Sequence, residues 1–172
     1  GFRKVLAGAF EAAESQDFLV TIGISPDFPS TGYGYLKQGG NLETASDRPV
    51  HQVERFVEKP NLEKAEQYLK DGGYFWNAGM FVWRPQVILS AISKHAPELS
   101  AGLEDLSASW RETGSIGQAM DKVYPKLKKI SIDFAVMERS DIIKCIPSDF
   151  GWNDIGGYNS LEEIFKIDSG IK

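Results

Sequence analysis

The 172-residue sequence predicts one α/β domain with a mixed central sheet, and three observations lead there. Phe2, Val5, Leu6, Ala9, Phe10 and Ala13 recur at helical spacing, giving an amphipathic helix at the start. Phe18-Leu19-Val20-Thr21-Ile22-Gly23-Ile24 then reads as a run of strand-forming residues, the pattern of a strand buried on both faces. Helical and strand patterns continue to alternate, which is the layering of α/β domains.

Each later element has its own signal. Residues 25–32 are rich in Pro, Ser and Asp and predict a loop, after which Tyr33 to Lys37 resumes as a strand. Gly39 to Pro49 is polar and turn-rich, and Val53, Phe56 and Val57 supply the next strand, ended by Glu58-Lys59-Pro60. Asn61 caps a helix on which Leu62, Ala65, Tyr68 and Leu69 share a face, and Gly72-Gly73 stops it. Tyr74 to Trp83 is an aromatic strand interrupted at Asn77-Ala78-Gly79, and Pro85 opens a further helix. A less regular helical region through Leu99, Leu103, Leu106 and Trp110 is broken at Gly114 to Gly117. Ser131 is placed to cap a short helix over 132–138, Ile142 to Ile146 is the last strand, and Leu161, Ile164 and Phe165 mark a closing helix. There is no internal repeat or long linker, so residues 1–172 are expected to form a single domain.

Composition narrows the function. A hydrophobic share of 42% and a charged share of 25% are those of a folded globular protein, and a chain of this length buries about two-thirds of its unfolded surface. A net charge of -5 opposes wrapping of a nucleic-acid backbone, whereas a small anionic ligand needs only one or two well-placed cations. The single cysteine, Cys145, sits in an apolar run and has no internal partner, which fits a cytoplasmic protein. No apolar run approaches the about 18 residues needed to cross a bilayer, so no membrane partner is expected. The chain begins at Gly1 inside an amphipathic helix, which points to a segment of a longer protein.

Several catalytic machines have no counterpart. His51 and His95 are isolated, no Cys/His set has zinc-ligand spacing, and neither a Gly-x-Ser-x-Gly elbow nor a Walker-type loop is present. The remaining candidates lie at strand ends. Glu58 and Lys59 put a carboxylate beside an ammonium where a strand stops, able to accept a sugar hydroxyl and to contact a phosphate, or merely to form a surface pair. Alternation would point the two side chains apart unless the backbone bends. Asn77 is an amide inside an aromatic strand and needs partners, either a ring hydroxyl or a backbone group at a bulge with Gly79. Asp154, in the glycine-flexed turn Gly151-Trp152-Asn153-Asp154-Ile155-Gly156-Gly157, suits a magnesium ion or a helix cap. Gly34, in Gly32-Tyr33-Gly34, permits close backbone approach of a ligand or only a turn.

In this order, Thr31-Gly32-Tyr33-Gly34-Tyr35, Phe56-Val57-Glu58-Lys59-Pro60, Trp76-Asn77-Ala78-Gly79-Met80-Phe81, residues 131–138 and Gly151-Trp152-Asn153-Asp154-Ile155-Gly156 resemble the mannose-1-phosphate guanylyltransferases. The resemblance implies a Rossmann-like nucleotidyltransferase domain, of which this chain would be the C-terminal portion. It also implies transfer of GMP from GTP to mannose 1-phosphate, giving GDP-mannose and pyrophosphate. Glu58 and Asn77 would then bind sugar hydroxyls, Lys59 the phosphate, Gly34 the sugar through its backbone, and Asp154 the cofactor Mg2+; Lys59 and Asp154 would be the catalytic pair. Asp133 lies in a family motif without an assigned role. The family's Gly-rich nucleotide loop and an upstream metal-sharing Asp are expected to precede residue 1, so the segment alone is expected to be inactive. Losing the leading elements should also leave sheet edges and apolar faces uncovered, favouring association of copies into a homo-oligomer. Transfer to another hexose 1-phosphate, with another nucleotide, and a non-catalytic sugar-nucleotide-binding module are the competing expectations.

Overall fold

The structure, a computed structural model, describes residues 1–44, 46 and 48–156. The closing helix expected around Leu161 lies outside them. In chain order the elements are α1 (Phe2–Ser15), β1 (Leu19–Ile24), β2 (Tyr35–Leu42), β3 (Val50–Val57), α2 (Leu62–Asp71), β4 (Tyr74–Val82), α3 (Pro85–His95), α4 (Pro97–Thr113), α5 (Ile116–Val123) and β5 (Ile143–Ser148). A 3-10 turn, Tyr124–Lys126, and a π-helical turn, Asp133–Met137, lie between α5 and β5.

The five strands form one mixed sheet. β1 runs parallel to β5 and antiparallel to β4, β4 continues antiparallel to β2, and β2 pairs antiparallel with β3. The ladder closes because β3 meets β5 at His51–Cys145 and Gln52–Lys144. Among the described strands no edge is left open, contrary to the expectation of uncovered edges. Apolar exposure does occur on α1, where Phe2 and Phe10 are 43% and 52% exposed.

Two cores flank the sheet. On one side Val5, Ala9, Ala12 and Ala13 of α1 pack on Val20, Ile22, Tyr35, Trp76 and Ile146. On the other, Val87, Ala91 and Ile92 of α3 and Ala135, Val136 and Met137 of the π-helical turn pack on Leu19, Leu36, Phe56 and Cys145. Strand β1 is buried along its whole length, as its apolar sequence requires.

Three local differences from the sequence reading have clear causes. β2 runs on through Gly39-Gly40 to Leu42 because register shifts opposite β3 absorb the flexible pair. The region around Leu99 is a regular 17-residue helix that begins at Pro97 and is stopped by Gly114 in the left-handed conformation at φ +66°. The glycines around Ser115 conceal a further helix, α5, whose Gln118 N–H is accepted by the Ser115 hydroxyl at 3.4 Å. The side chain of Ser131, by contrast, caps nothing; its carbonyl accepts from Ala135 N–H at 2.9 Å.

Candidate functional site

The candidate residues gather where β1 and β5 end side by side at Ile24 and Ser148, next to the start of β2, the end of β3 and the middle of β4. At the end of β3 the backbone does bend: Lys59 has φ +48°, the only positive φ at a non-glycine among the described residues. The bend cancels strand alternation, and the Lys59 ammonium lies 3.1 Å from the Glu58 carboxylate. Two hydrogen bonds hold this conformation. Glu58 N–H donates to Glu138 Oε1 at 2.9 Å, and Lys59 N–H donates to the Tyr33 carbonyl at 3.3 Å.

Gly34 is the floor. A Cβ there would stand 2.5 Å from Glu58 Oε2 and 3.3 Å from the Asn77 Cβ, so the missing side chain is what lets both residues converge. Asn77 is stitched to the same segment by its N–H, which donates to the Gly34 carbonyl at 2.8 Å. The residue is only 8% exposed, and its Oδ1 accepts twice, from the Thr21 hydroxyl at 2.8 Å and from Gly79 N–H at 3.2 Å. Gly79 reaches that oxygen with φ +69°, so the backbone partner at a turn with Gly79 that the sequence offered for Asn77 is present.

Burial raises the Glu58 pKa above the ordinary carboxylate range; the Lys59 hydrogen bond opposes this, while the nearby Asp133 and Glu138 charges add to it. Asp133 opens the π-helical turn and Glu138 follows its last residue, with Glu138 N–H donating to the Asp133 carbonyl at 2.9 Å. That wider spacing brings residues five apart to one face, and it gives Asp133 a place beside the site. The Lys59 side chain is 62% exposed and free to swing from Glu58 to an anion.

Asp154 stands apart from this group. Its side chain is exposed on the loop after β5, and among the described residues it is tied to the site only through Trp152, whose ring meets that of Tyr33 at 5.3 Å. Tyr33, Phe28 and Trp76 complete an aromatic wall, with Trp76 5.1 Å from Tyr33 and 4.8 Å from Phe28. Among the described residues no three His, Cys, Asp or Glu side chains cluster around a cation position. A lone exposed carboxylate still fits Mg2+, which keeps several waters and takes one or two carboxylates with substrate phosphates.

Sequence reasoning missed Thr21 and Glu138 as parts of this constellation. Thr21 was visible as the one hydroxyl in an apolar strand, and Glu138 as the acid closing the 131–138 motif. Nothing local tells which distant residue each one serves.

Residues 2–169 match the model of the nucleotidyl transferase family. The chain is 38% identical over 163 residues to the mannose-1-phosphate guanylyltransferase ManC of Salmonella typhimurium, covering 95% of this chain and 34% of that protein. A mannose-1-phosphate guanylyltransferase of Escherichia coli K12 is 37% identical with the same coverages. Among solved structures, one described as a mannose-1-phosphate geranyltransferase from Thermus thermophilus superposes with a TM-score of 0.78 at 35% identity, covering 95% of this chain and 44% of its own. Another, described as a mannose-6-phosphate isomerase from Helicobacter pylori, gives 0.69 at 29% identity, covering 89% and 57%. The chain thus spans about a third of the length of those curated relatives. With a mixed α/β sheet that superposes on that of the Thermus thermophilus structure and a family match over nearly all its residues, the chain belongs to the nucleotidyl transferase family.

Proposed function

We propose that the protein carrying this chain transfers GMP from GTP to mannose 1-phosphate, giving GDP-mannose and pyrophosphate, and that this chain supplies the sugar-phosphate side. The observation that carries the reading is the Gly34 cradle, where a carboxylate and an amide converge over a backbone with no side chain. A carboxylate accepts from a sugar hydroxyl and an amide N–H donates to one, so Glu58 and Asn77 together read a polyol edge. Lys59, one residue on and mostly exposed, would take the phosphate as a point charge.

The chemistry asks little else of the protein. A sugar phosphate is largely dianionic near neutral pH, so its oxygen attacks phosphorus without a general base. What remains is alignment and stabilisation of spreading negative charge. Lys59 would hold the attacking phosphate in line. Asp154 would hold Mg2+, which when bound offsets phosphate charge. The acidic net charge and the buried, unreactive Cys145 support a small-molecule enzyme of the reducing cytoplasm.

Turnover of GTP and mannose 1-phosphate by the natural full-length protein, with its Glu58→Ala and Asp154→Ala variants, tests the proposal. Loss of turnover in both is expected. Unchanged turnover in both would remove the site assignment, preference for another triphosphate and hexose phosphate would replace the substrates, and substrate binding without turnover in the wild type would leave a binding module.

A further inference from the structure

Asn77 offers a ligand one end of its amide, and Gly79 N–H together with the Thr21 hydroxyl outside the sugar pocket holds that end in place. Gly79 N–H is a backbone donor that can only donate, and it points at the side-chain oxygen of Asn77 at 3.2 Å. Reversing the amide would set N–H against N–H, so Oδ1 must face inward. The Thr21 hydroxyl, on β1 and fully buried, donates its single proton to the same oxygen at 2.8 Å, with the Met80 carbonyl more distant at 3.4 Å. Both inward positions on Oδ1 are thereby taken. Among the described residues nothing accepts from Nδ2, in a residue 8% exposed. Nδ2 is not among the fully buried side-chain atoms that lack a partner, so it keeps some exposure to solvent, where water or a ligand supplies the acceptor.

We infer that Thr21 is a positioning residue of the sugar site, locking the Asn77 amide with its NH2 outward so that the ligand must present a hydrogen-bond acceptor there. The inference deepens the proposed sugar-phosphate role and rests on it for the identity of the ligand. Glu58 is an acceptor and Asn77 a pure donor, so the pair selects a hydroxyl that gives its proton to the carboxylate and offers its lone pair to the amide. A sugar bearing an ammonium group at that position would leave Nδ2 facing a donor and is excluded.

The test uses the natural full-length protein with Thr21→Val, which keeps the shape and removes the hydroxyl, and Thr21→Ser, which restores the donor. Thr21→Val should raise KM for mannose 1-phosphate by about tenfold, the loss of one good hydrogen bond, with KM for GTP unchanged. Thr21→Ser should recover most of it. Equal KM values for mannose 1-phosphate in wild type and Thr21→Val, a parallel rise in KM for GTP, or no recovery in Thr21→Ser would overturn the inference. A second readout does not need activity: the two side-chain NH2 proton resonances of Asn77 on titration with mannose 1-phosphate, and with glucose 1-phosphate in parallel. A shift of those resonances in the wild type that is weakened in Thr21→Val supports the lock, and an identical response in both overturns it. If the wild type fails to turn over GTP and mannose 1-phosphate, the proposed reaction falls, and the resonances still judge Thr21.

Discussion

The Glu138 carboxylate accepts the backbone N–H of Glu58 at 2.9 Å, joining positions 80 residues apart. That bond, with Lys59 N–H on the Tyr33 carbonyl, stabilises a left-handed residue at the end of β3. Replacing Glu138 by Leu should cost about 1 kcal/mol of stability and, on the proposed function, raise KM for mannose 1-phosphate, because the Glu58–Lys59 turn loses its anchor. Glu138→Gln keeps an acceptor oxygen and should stay near wild type in both. Chemical denaturation and steady-state kinetics on the two variants check this.

Gly34→Ala should act on the site more than on the fold. Its Cβ would collide with Glu58 Oε2, the end of a side chain that can swing away, while Asn77 is held by its backbone. On the proposed function, displacing Glu58 should lower kcat/KM for the sugar phosphate by about tenfold or more, the loss of a hydrogen bond to a charged group of about 1.5–3 kcal/mol. The melting temperature should move little by comparison, and calorimetry beside kinetics separates the two.

Glu58 should make the protein less stable as pH rises. Its folded-state pKa is raised, chiefly by burial, so the folded protein holds the proton to higher pH than the unfolded chain does. The stability present below the ordinary glutamate pKa is therefore lost as pH climbs through the raised value. Glu58→Gln, a neutral mimic, should melt above the wild type at neutral pH and converge with it at acidic pH, while losing turnover. Melting curves across pH for both proteins decide it; a gap that widens on acidification would reverse the sign.

Gly23 is a packing requirement of β1. A Cβ there would run into the Cys145 sulfur and stand 2.9 Å from the Phe75 Cβ, in a core with no slack. Gly23→Ala should destabilise by about 2 kcal/mol. Urea denaturation gives the value directly.

Cys145 is fully buried, and burial pushes its thiol far above the ordinary cysteine range. It should resist a thiol reagent such as iodoacetamide in the native protein and react once denaturant is added. Mass spectrometry of labelled native and unfolded samples provides the comparison.

The alternation of elements, the burial of β1, the Asn61 cap of α2, the strand-end positions of Gly34, Glu58 and Lys59, and the place of Asn77 inside an aromatic strand were all legible in the order of amino acids. Each of these depends on nearest neighbours, on spacing, or on a residue type that is costly out of place. The five ordered motifs also carried the family resemblance. Other features came from the folded chain alone. Closure of the sheet at His51–Cys145 depends on strands far apart in sequence. The turn at Lys59 is held by a carboxylate 80 residues from Glu58, and the Asn77 oxygen accepts from a hydroxyl 56 residues away. A hydrogen-bond donor at Thr21 or an acceptor at Glu138 carries no local mark of its partner, because pairing across a fold is set by chain closure and packing.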